Sequence, residues 1–301
     1  MMNIWRNIST VLNDPPPTLA FELSEAGIAF ARLTKPPHMD FRPLPGGVIS
    51  VSLLKDNILD SDQLLAAIRE LAPQNGSRKR RAVTLILPDH SVRVSVLDFD
   101  SFPGDPKEQL SLVRFRVKKT LPYDVDQAAL SYFPQPAREG GKKMDVVVAV
   151  APLEIMARYE APFRAAGMNP GLVTTSSLAA VDLVASRALT VVAKLCGRVL
   201  SILVVENGGL RLVRTLELQQ VSQEDIATDL IPTFMFIEDT MHRKPEKLLL
   251  CGFGAGFEEA ARQFGEELGL ETGPARSNLW IPGEHNAGLL GYLQAAGRGG
   301  G

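Results

Sequence analysis

Polar and apolar positions along this chain alternate in blocks that change period several times. Thr18 to Leu33 reads TLAFEL, SEAG, IAFARL, two apolar runs about a short polar turn, which predicts a β-hairpin. A Pro-rich connection, PPHMDFRPLPGG, leads to VISVSLL, read as a further strand, and to a helix DSDQLLAAIRELA with an Asp/Ser start. AVTLILP is apolar throughout and predicts a fully buried strand, while VRVSVLDF alternates. Strands mixed with a helix in this way predict an α/β sheet.

From Asp105 the pattern is a helix PKEQLSLVRFRVKKTL, a strand AALSYFPQP, a loop AREGGKKM, a strand DVVVAVAP and a helix LEIMARYEAPFRAAG. This is an α-β-β-α unit set between parts of the first sheet. LVTTSSLAAVDLVAS predicts a strand running into a helix, with Ser176 and Ser177 as its cap. The second half opens at Leu189 with a long β-rich stretch whose ENGG is a tight hairpin turn. A helix around SQEDIATDLIPTFMFIEDTMHR follows, with Pro232 kinking it or near its start, then a buried strand KLLLCG, a turn FGAG and a helix FEEAARQFGEELG. The tail GRGGG has the composition of a flexible linker.

Composition narrows the function classes. At 301 residues two subdomains are expected, with ample core. The formal net charge of -2 provides no global field for nucleic acid or anionic lipid. Two cysteines, Cys196 and Cys251, lie in separate apolar runs, so they read as buried thiols of a reducing compartment rather than a disulfide or metal knuckle. Leu189 to Val205 is the longest apolar stretch, and Lys194 and Arg198 interrupt it. Each cation would cost about 2.5–3.5 kcal/mol at mid-bilayer, which argues for strands over a membrane helix. The N-terminal residues lack a signal-peptide pattern; Ile4, Trp5, Ile8, Val11 and Leu12 share a helical face that suits an interfacial helix or a locally docked terminus.

Candidate chemistry is sparse. Gly252, Gly254 and Gly256, between a strand and a helix, suit anion binding and a tight turn equally well. Arg78, Lys79, Arg80 and Arg81 would be the RNA-contacting residues of an RNA-binding protein, or a solvated loop. The histidines 38, 90, 242 and 285 stand apart from other ligand-type residues, and no nucleophile motif occurs, so catalytic and metal residues are expected to be none. Val113 to Tyr132 places aromatics, prolines and cations along a helix end and the following strand, a pattern of a binding surface or of core packing.

The order of parts resembles the PilM family, cytoplasmic actin-like proteins of type IV pilus assembly related to the cell-division protein FtsA. The resemblance rests on Pro88-Asp89-x-Ser91-Val92, the helix ending in Leu121-Pro122-Tyr123-Asp124, the strand DVVVAVAP from Asp145, and the helix closing on AAGMNP at Pro170. It implies an actin-like α/β fold, ribonuclease-H-type in both halves, with an inserted α-β-β-α subdomain. The implied organisation is an N-terminal segment 1–17, a first half 18–89, an inserted subdomain 90–170, a return to the first domain 171–188, a reduced second domain 189–296 and a tail 297–301.

The same resemblance implies a degenerate nucleotide site. The family hairpin approximates GIDIGSSSVK, and Glu22, Ser24 and Ala29 here replace its Asp, second Gly and Lys, with Glu25 adding a carboxylate where phosphate would sit. The second phosphate hairpin falls on Lys194, Cys196 and Leu200; Gly252 and Gly254 are kept, but Phe253 replaces a glycine. Arg214 to Leu248 is too short for the family's small second-half subdomain. The implied function is a non-enzymatic scaffold, peripheral at the inner face of the bacterial membrane, capturing the cytoplasmic N-terminal tail of a bitopic PilN-like partner through Phe115, Lys118, Lys119, Pro122 and Tyr123. No cofactor is required on this reading. The alternative is a divergent actin-like ATPase holding Mg-ATP at Glu22, Lys194, Gly252 and Gly254.

Overall fold

The computed structural model describes residues 16–74, 79–136 and 143–298. The N-terminal apolar face, residues 77 and 78 of the basic run and the end of the tail lie outside the described residues. Two five-stranded sheets carry the molecule, and their strand orders are the same pattern used twice. In the first, β1 (Leu19–Ser24), β2 (Gly27–Arg32) and β3 (His38–Pro43) form an antiparallel meander, and β4 (Arg81–Leu87) and β8 (Met168–Thr175) add in parallel, giving β3-β2-β1-β4-β8. The second repeats it as β11-β10-β9-β12-β13, from β9 (Thr190–Cys196), β10 (Val199–Glu206), β11 (Gly209–Glu217), β12 (Lys247–Cys251) and β13 (Glu271–Pro274).

The apolar runs explain which strands are central. β1 is buried along its whole length because β2 and β4 flank it and both its faces are covered, so it cannot alternate with solvent. The ENGG turn joins β10 to β11 with Asn207 and Gly208 both at positive φ, the geometry a two-residue hairpin of right-twisted strands requires. VISVSLL forms no strand: only an isolated Ile49–Ile58 bridge occurs there, and Asn57 satisfies the loop by donating to the Ser52 and Lys55 carbonyls. The sheet edge is instead β3, from the Pro-rich connection, whose mostly exposed residues hide any alternation.

Helices α1 (Ser61–Leu71) and α3 (Leu153–Ala165) cover one face of the first sheet. Asp60 caps α1 by accepting from the Gln63 amide. Between β4 and β8, the strands β5 (Arg93–Phe99), β6 (Ala128–Pro134) and β7 (Met144–Pro152) form a three-stranded sheet β5-β7-β6 with helix α2 (Pro106–Lys118) and a core of its own around Val113, Val117, Val146 and Val148. The elements run α2, β6, β7, α3 as expected, with β5 as an added strand. The inward side chains of α3, Ile155, Tyr159 and Phe163, join the first domain's core.

The second sheet is backed by α5 (Gln223–Met241) and α6 (Phe257–Leu268). Between the two sheets lie α4 (Ser176–Ala180) and α7 (Ala287–Arg298), in a core shared by Ala20, Ile86, Val192 and Leu203. β13 and α7 have no counterpart in the sequence reading, because ETGP and AGLLGYLQAAGR carry Gly or Pro at positions that lower strand and helix propensity. Although α7 begins within 189–296 and its last two residues, Gly297 and Arg298, extend helix into the expected tail, it packs against α4 and β1 of the first domain. Its glycines are what allow this: a methyl group at Gly291 would strike the Ala179 carbonyl, and one at Gly288 would lie 2.8 Å from the Ser176 Cα.

Gly291→Ala should therefore lower stability by about 1–3 kcal/mol through overpacking, read as an earlier urea midpoint. Gly297→Ala on the same helix meets open space and should be neutral or stabilising by up to about 1 kcal/mol.

Candidate functional site

The seam between the two sheets opens into a small crevice lined by the first hairpin, the start of α4, the β9–β10 turn and the loop before α7. The expected site residues meet here: Glu22 and Ser24 from β1, Lys194 from β9, and, just behind, Gly252 and Gly254 of the turn after β12. What they do locally differs from holding a nucleotide.

Glu22 is buried, and its carboxylate accepts hydrogen bonds from the Gly288 amide at 3.3 Å, the Leu289 amide at 2.6 Å and the Ser176 hydroxyl. It is thus the cap of α7, neutralising orphan amides of that helix's first turn. Desolvation pushes the Glu22 carboxyl above its usual range, against the opposing pull of Lys194 and these donors. Ser24 closes the hairpin turn, accepting from the Gly27 amide at 3.2 Å and donating to the Gly27 carbonyl at 3.0 Å. Glu25 accepts from the Val51 amide at 2.7 Å.

Lys194 crosses the seam to Asp89, Nζ to Oδ2 at 2.9 Å, with both side chains buried. Asp89 also accepts from the Ser201 hydroxyl at 2.7 Å and the Ser177 amide at 2.6 Å. Burial alone would raise the Asp89 carboxyl; the Lys194 ammonium and these two donors outweigh it and hold the group below the usual carboxylate range. The same carboxylates raise Lys194 despite its burial. Ser176 and Ser177 therefore serve the crevice carboxylates, and the cap of α4 is Thr175, whose hydroxyl accepts from the Leu178 amide at 3.3 Å.

The glycine turn is equally occupied by the chain itself. Gly252 sits at φ +80 with the Leu195 carbonyl where a Cβ would stand, and the Glu284 carboxylate fills the corresponding space at Gly254. His285 stacks on Phe41 with ring centroids 5.4 Å apart, and its Nδ1 lies 3.9 Å from the Cys196 sulfur. Burial pushes the Cys196 and Cys251 thiols up to about 11 and about 12, so both are poor nucleophiles. The cavity left in the crevice is about 50 Å³, against several hundred for sites that hold drug-sized ligands. Carboxylates already bonded to amides, a lysine already paired with Asp89 and a filled glycine turn do not fit magnesium with a nucleoside triphosphate.

A second joint fastens the inserted unit to the second domain. The Gln135 amide pairs with both backbone groups of Leu210, at 2.6 and 2.7 Å, and Arg211 donates to Asp145 at 2.9 Å. Asp89, Ser201, Gln135, Asp145 and Arg211 carry these joints and none was singled out as a site residue in the sequence. Of these, Asp89 and Asp145 left a trace, in the Pro-Asp-x-Ser-Val turn and at the head of DVVVAVAP.

The expected partner residues lie apart from the crevice. Phe115 is 62% exposed on α2, with the Lys119 ammonium 5.4 Å from its ring centroid. Lys118 and Pro122 are exposed beside it. Tyr123 is half-buried and donates to the Val150 carbonyl at 3.0 Å, which makes it an anchor of the α2–β6 connection onto β7. In the basic run, Arg81 donates to the Ala72 carbonyl at 2.7 Å and is bound into the α1–β4 loop, which leaves a weak basis for an RNA surface. Among the described residues no group of His, Cys, Asp and Glu is placed to hold a metal ion, and no helix is long and apolar enough to cross a membrane.

Removing one member of a buried pair leaves the other charge unsatisfied, so Lys194→Met should cost about 3–5 kcal/mol at pH 7. In the wild type the Asp89 contribution is complete above the unfolded carboxylate pKa of about 4 and is lost as pH falls through its lower folded value. In the variant Asp89 is buried without its cation and takes up a proton more readily, so the stability gap between the two proteins should narrow from pH 7 to pH 4 in urea titrations. A gap that is constant or widens would show that the pair contributes nothing specific.

No family model matches the sequence, and no curated protein does. Solved structures are similar in fold. One, a PilM-PilN type IV pilus biogenesis complex, aligns with TM-score 0.76 at 17% identity, over 94% of this chain and 99% of that one. A protein of Bacteroides thetaiotaomicron described as having an actin-like ATPase fold and unknown function aligns with TM-score 0.54 at 13% identity, over 94% and 97%. The doubled strand order, the seam between the sheets and these alignments together establish that the chain has the actin-like ATPase fold.

Proposed function

We propose that this protein is a non-enzymatic scaffold of a type IV pilus or related secretion machine, cytoplasmic and peripheral at the inner membrane. On this reading it captures the cytoplasmic N-terminal tail of a bitopic PilN-like protein. The observation that carries the proposal is the crevice. Its charged groups are satisfied by one another and by α7, so the actin-like frame is held shut by its own side chains and is free to serve through its outer surfaces. Likeness to a PilM-PilN structure supports the choice of partner as fold-level analogy.

The tail would lie along the inserted unit, with an apolar side chain against Phe115 and polar or acidic groups near Lys118 and Lys119. Pro122 lines the same end of α2. An extended peptide can add backbone hydrogen bonds at a neighbouring edge. Tyr123, bonded to Val150, would shape this surface from beneath.

Two measurements test the reading. Saturating Mg-ATP should leave the thermal midpoint unchanged; a ligand at a hundred times its Kd would add about 2.7 kcal/mol and raise the midpoint by about 4–5 °C. Such a rise would turn the scaffold into a nucleotide-dependent switch. In fluorescence polarisation with the labelled N-terminal peptide of the PilN-like partner, Phe115→Ala and Lys118→Glu should each weaken binding by about tenfold or about 1.4 kcal/mol, and Tyr123→Phe much less. Unchanged affinity in both variants would move the peptide elsewhere.

A further inference from the structure

Helix α5 lies between β11 and β12, and among the described residues only one of its faces is used. Ile226, Leu230, Thr233 and Ile237 point into the second domain's core. On the opposite face, Ile231 is 49% exposed, Met235 60% and Phe236 43%, with Pro232 exposed among them. At about 100° per residue these four fall within one arc of roughly 140°. Single exposed apolar residues are ordinary, but four neighbours forming one patch on a helix mark an interaction surface.

The charges on the same face say what kind of occupant it fits. The first turn carries Glu224 and Asp225, the last Glu238 and Asp239, and Asp229 lies at the patch edge; α5 contains no lysine or arginine. Lys244, beyond the helix end, pairs with Glu238 at 3.7 Å on an exposed site. The face is therefore apolar in the middle and acidic at both ends. A second copy of the helix is a poor match, because antiparallel pairing about the patch sets Asp229 against Glu238 of the other copy. An anionic lipid surface is repelled by the same carboxylates.

We propose that the outward face of α5 docks a protein segment whose apolar middle is flanked at both ends by lysine or arginine. Met235 and Phe236 supply adaptable contact area, and the acidic ends fix the register of the bound segment. This surface is separate from α2, so its fate does not depend on the tail-binding reading.

The test uses two dye-labelled synthetic helical peptides of about 12 residues, about 18 Å long. One has paired lysines at both ends and leucine and alanine between; the other has glutamates in place of the lysines. Titrated with the full chain in fluorescence anisotropy, the lysine peptide should bind saturably and more weakly as salt rises, and the glutamate peptide should not bind. Met235→Lys should weaken lysine-peptide binding by at least about tenfold with an unchanged thermal midpoint, while Phe115→Ala leaves it intact. Equal binding of the two peptides, or affinity indifferent to Met235→Lys, overturns the proposal. So does loss of binding in Phe115→Ala, which would place the peptide on α2. A dimer in sedimentation that Met235→Lys dissolves would also overturn it, assigning the face to a second copy.

Discussion

Lys194 reaches Asp89 across the seam between two sheets, and neither charge could be there without the other. Stripping water from an ammonium and a carboxylate costs several kcal/mol each, and their attraction offsets that only when the remaining hydrogen-bonding capacity is also met. Here the Ser201 hydroxyl and Ser177 amide complete Asp89. The pair therefore demands a fixed spacing of β9, β10, α4 and the end of β4, and the relative placement of the two domains follows from it. The joint of Gln135 with Leu210 and Arg211 with Asp145 makes the same demand at the inserted unit.

Glu22 extends this logic to the C-terminal helix. A helix beginning inside the protein presents amides that must find acceptors, and the Glu22 carboxylate supplies two of them while Ser176 supplies its own donor. With small residues at Gly288 and Gly291, α7 can then lie against α4 and fill the space between the sheets. The seam is thus tied by side chains and a helix. Two exposed surfaces differ in sign: α2 bears Phe115 among cations, α5 an apolar patch between acids.

Sequence patterning carried much of this. The hairpin of β1 and β2, the buried β4, the unit of α2, β6 and β7, the ENGG turn and the helix holding Pro232 were all legible, because hydrophobic period and turn chemistry are local properties. The unusual set Glu22, Ser24, Lys194, Gly252 and Gly254 was also visible as a group of positions. β3 and α7 were not, since an exposed edge strand does not alternate and a glycine-bearing helix reads as weak until its neighbour is known. VISVSLL misled for the converse reason: Val48 and Ile49 are buried and Leu54 is exposed, so the apolar run lies in a loop with only the Ile49–Ile58 bridge.

By itself, then, the sequence determined most of the strands and helices and that a lysine stands at a phosphate hairpin whose other expected residues have been replaced. Only the tertiary structure decided what that lysine does. Its partner Asp89 is more than a hundred positions away, and Glu22 finds its amides at the far end of the chain, so no local pattern records either bond. Whether a buried charge belongs to a ligand or to the fold is fixed by which groups the topology brings within 3 Å of it, and here the groups belong to the chain itself.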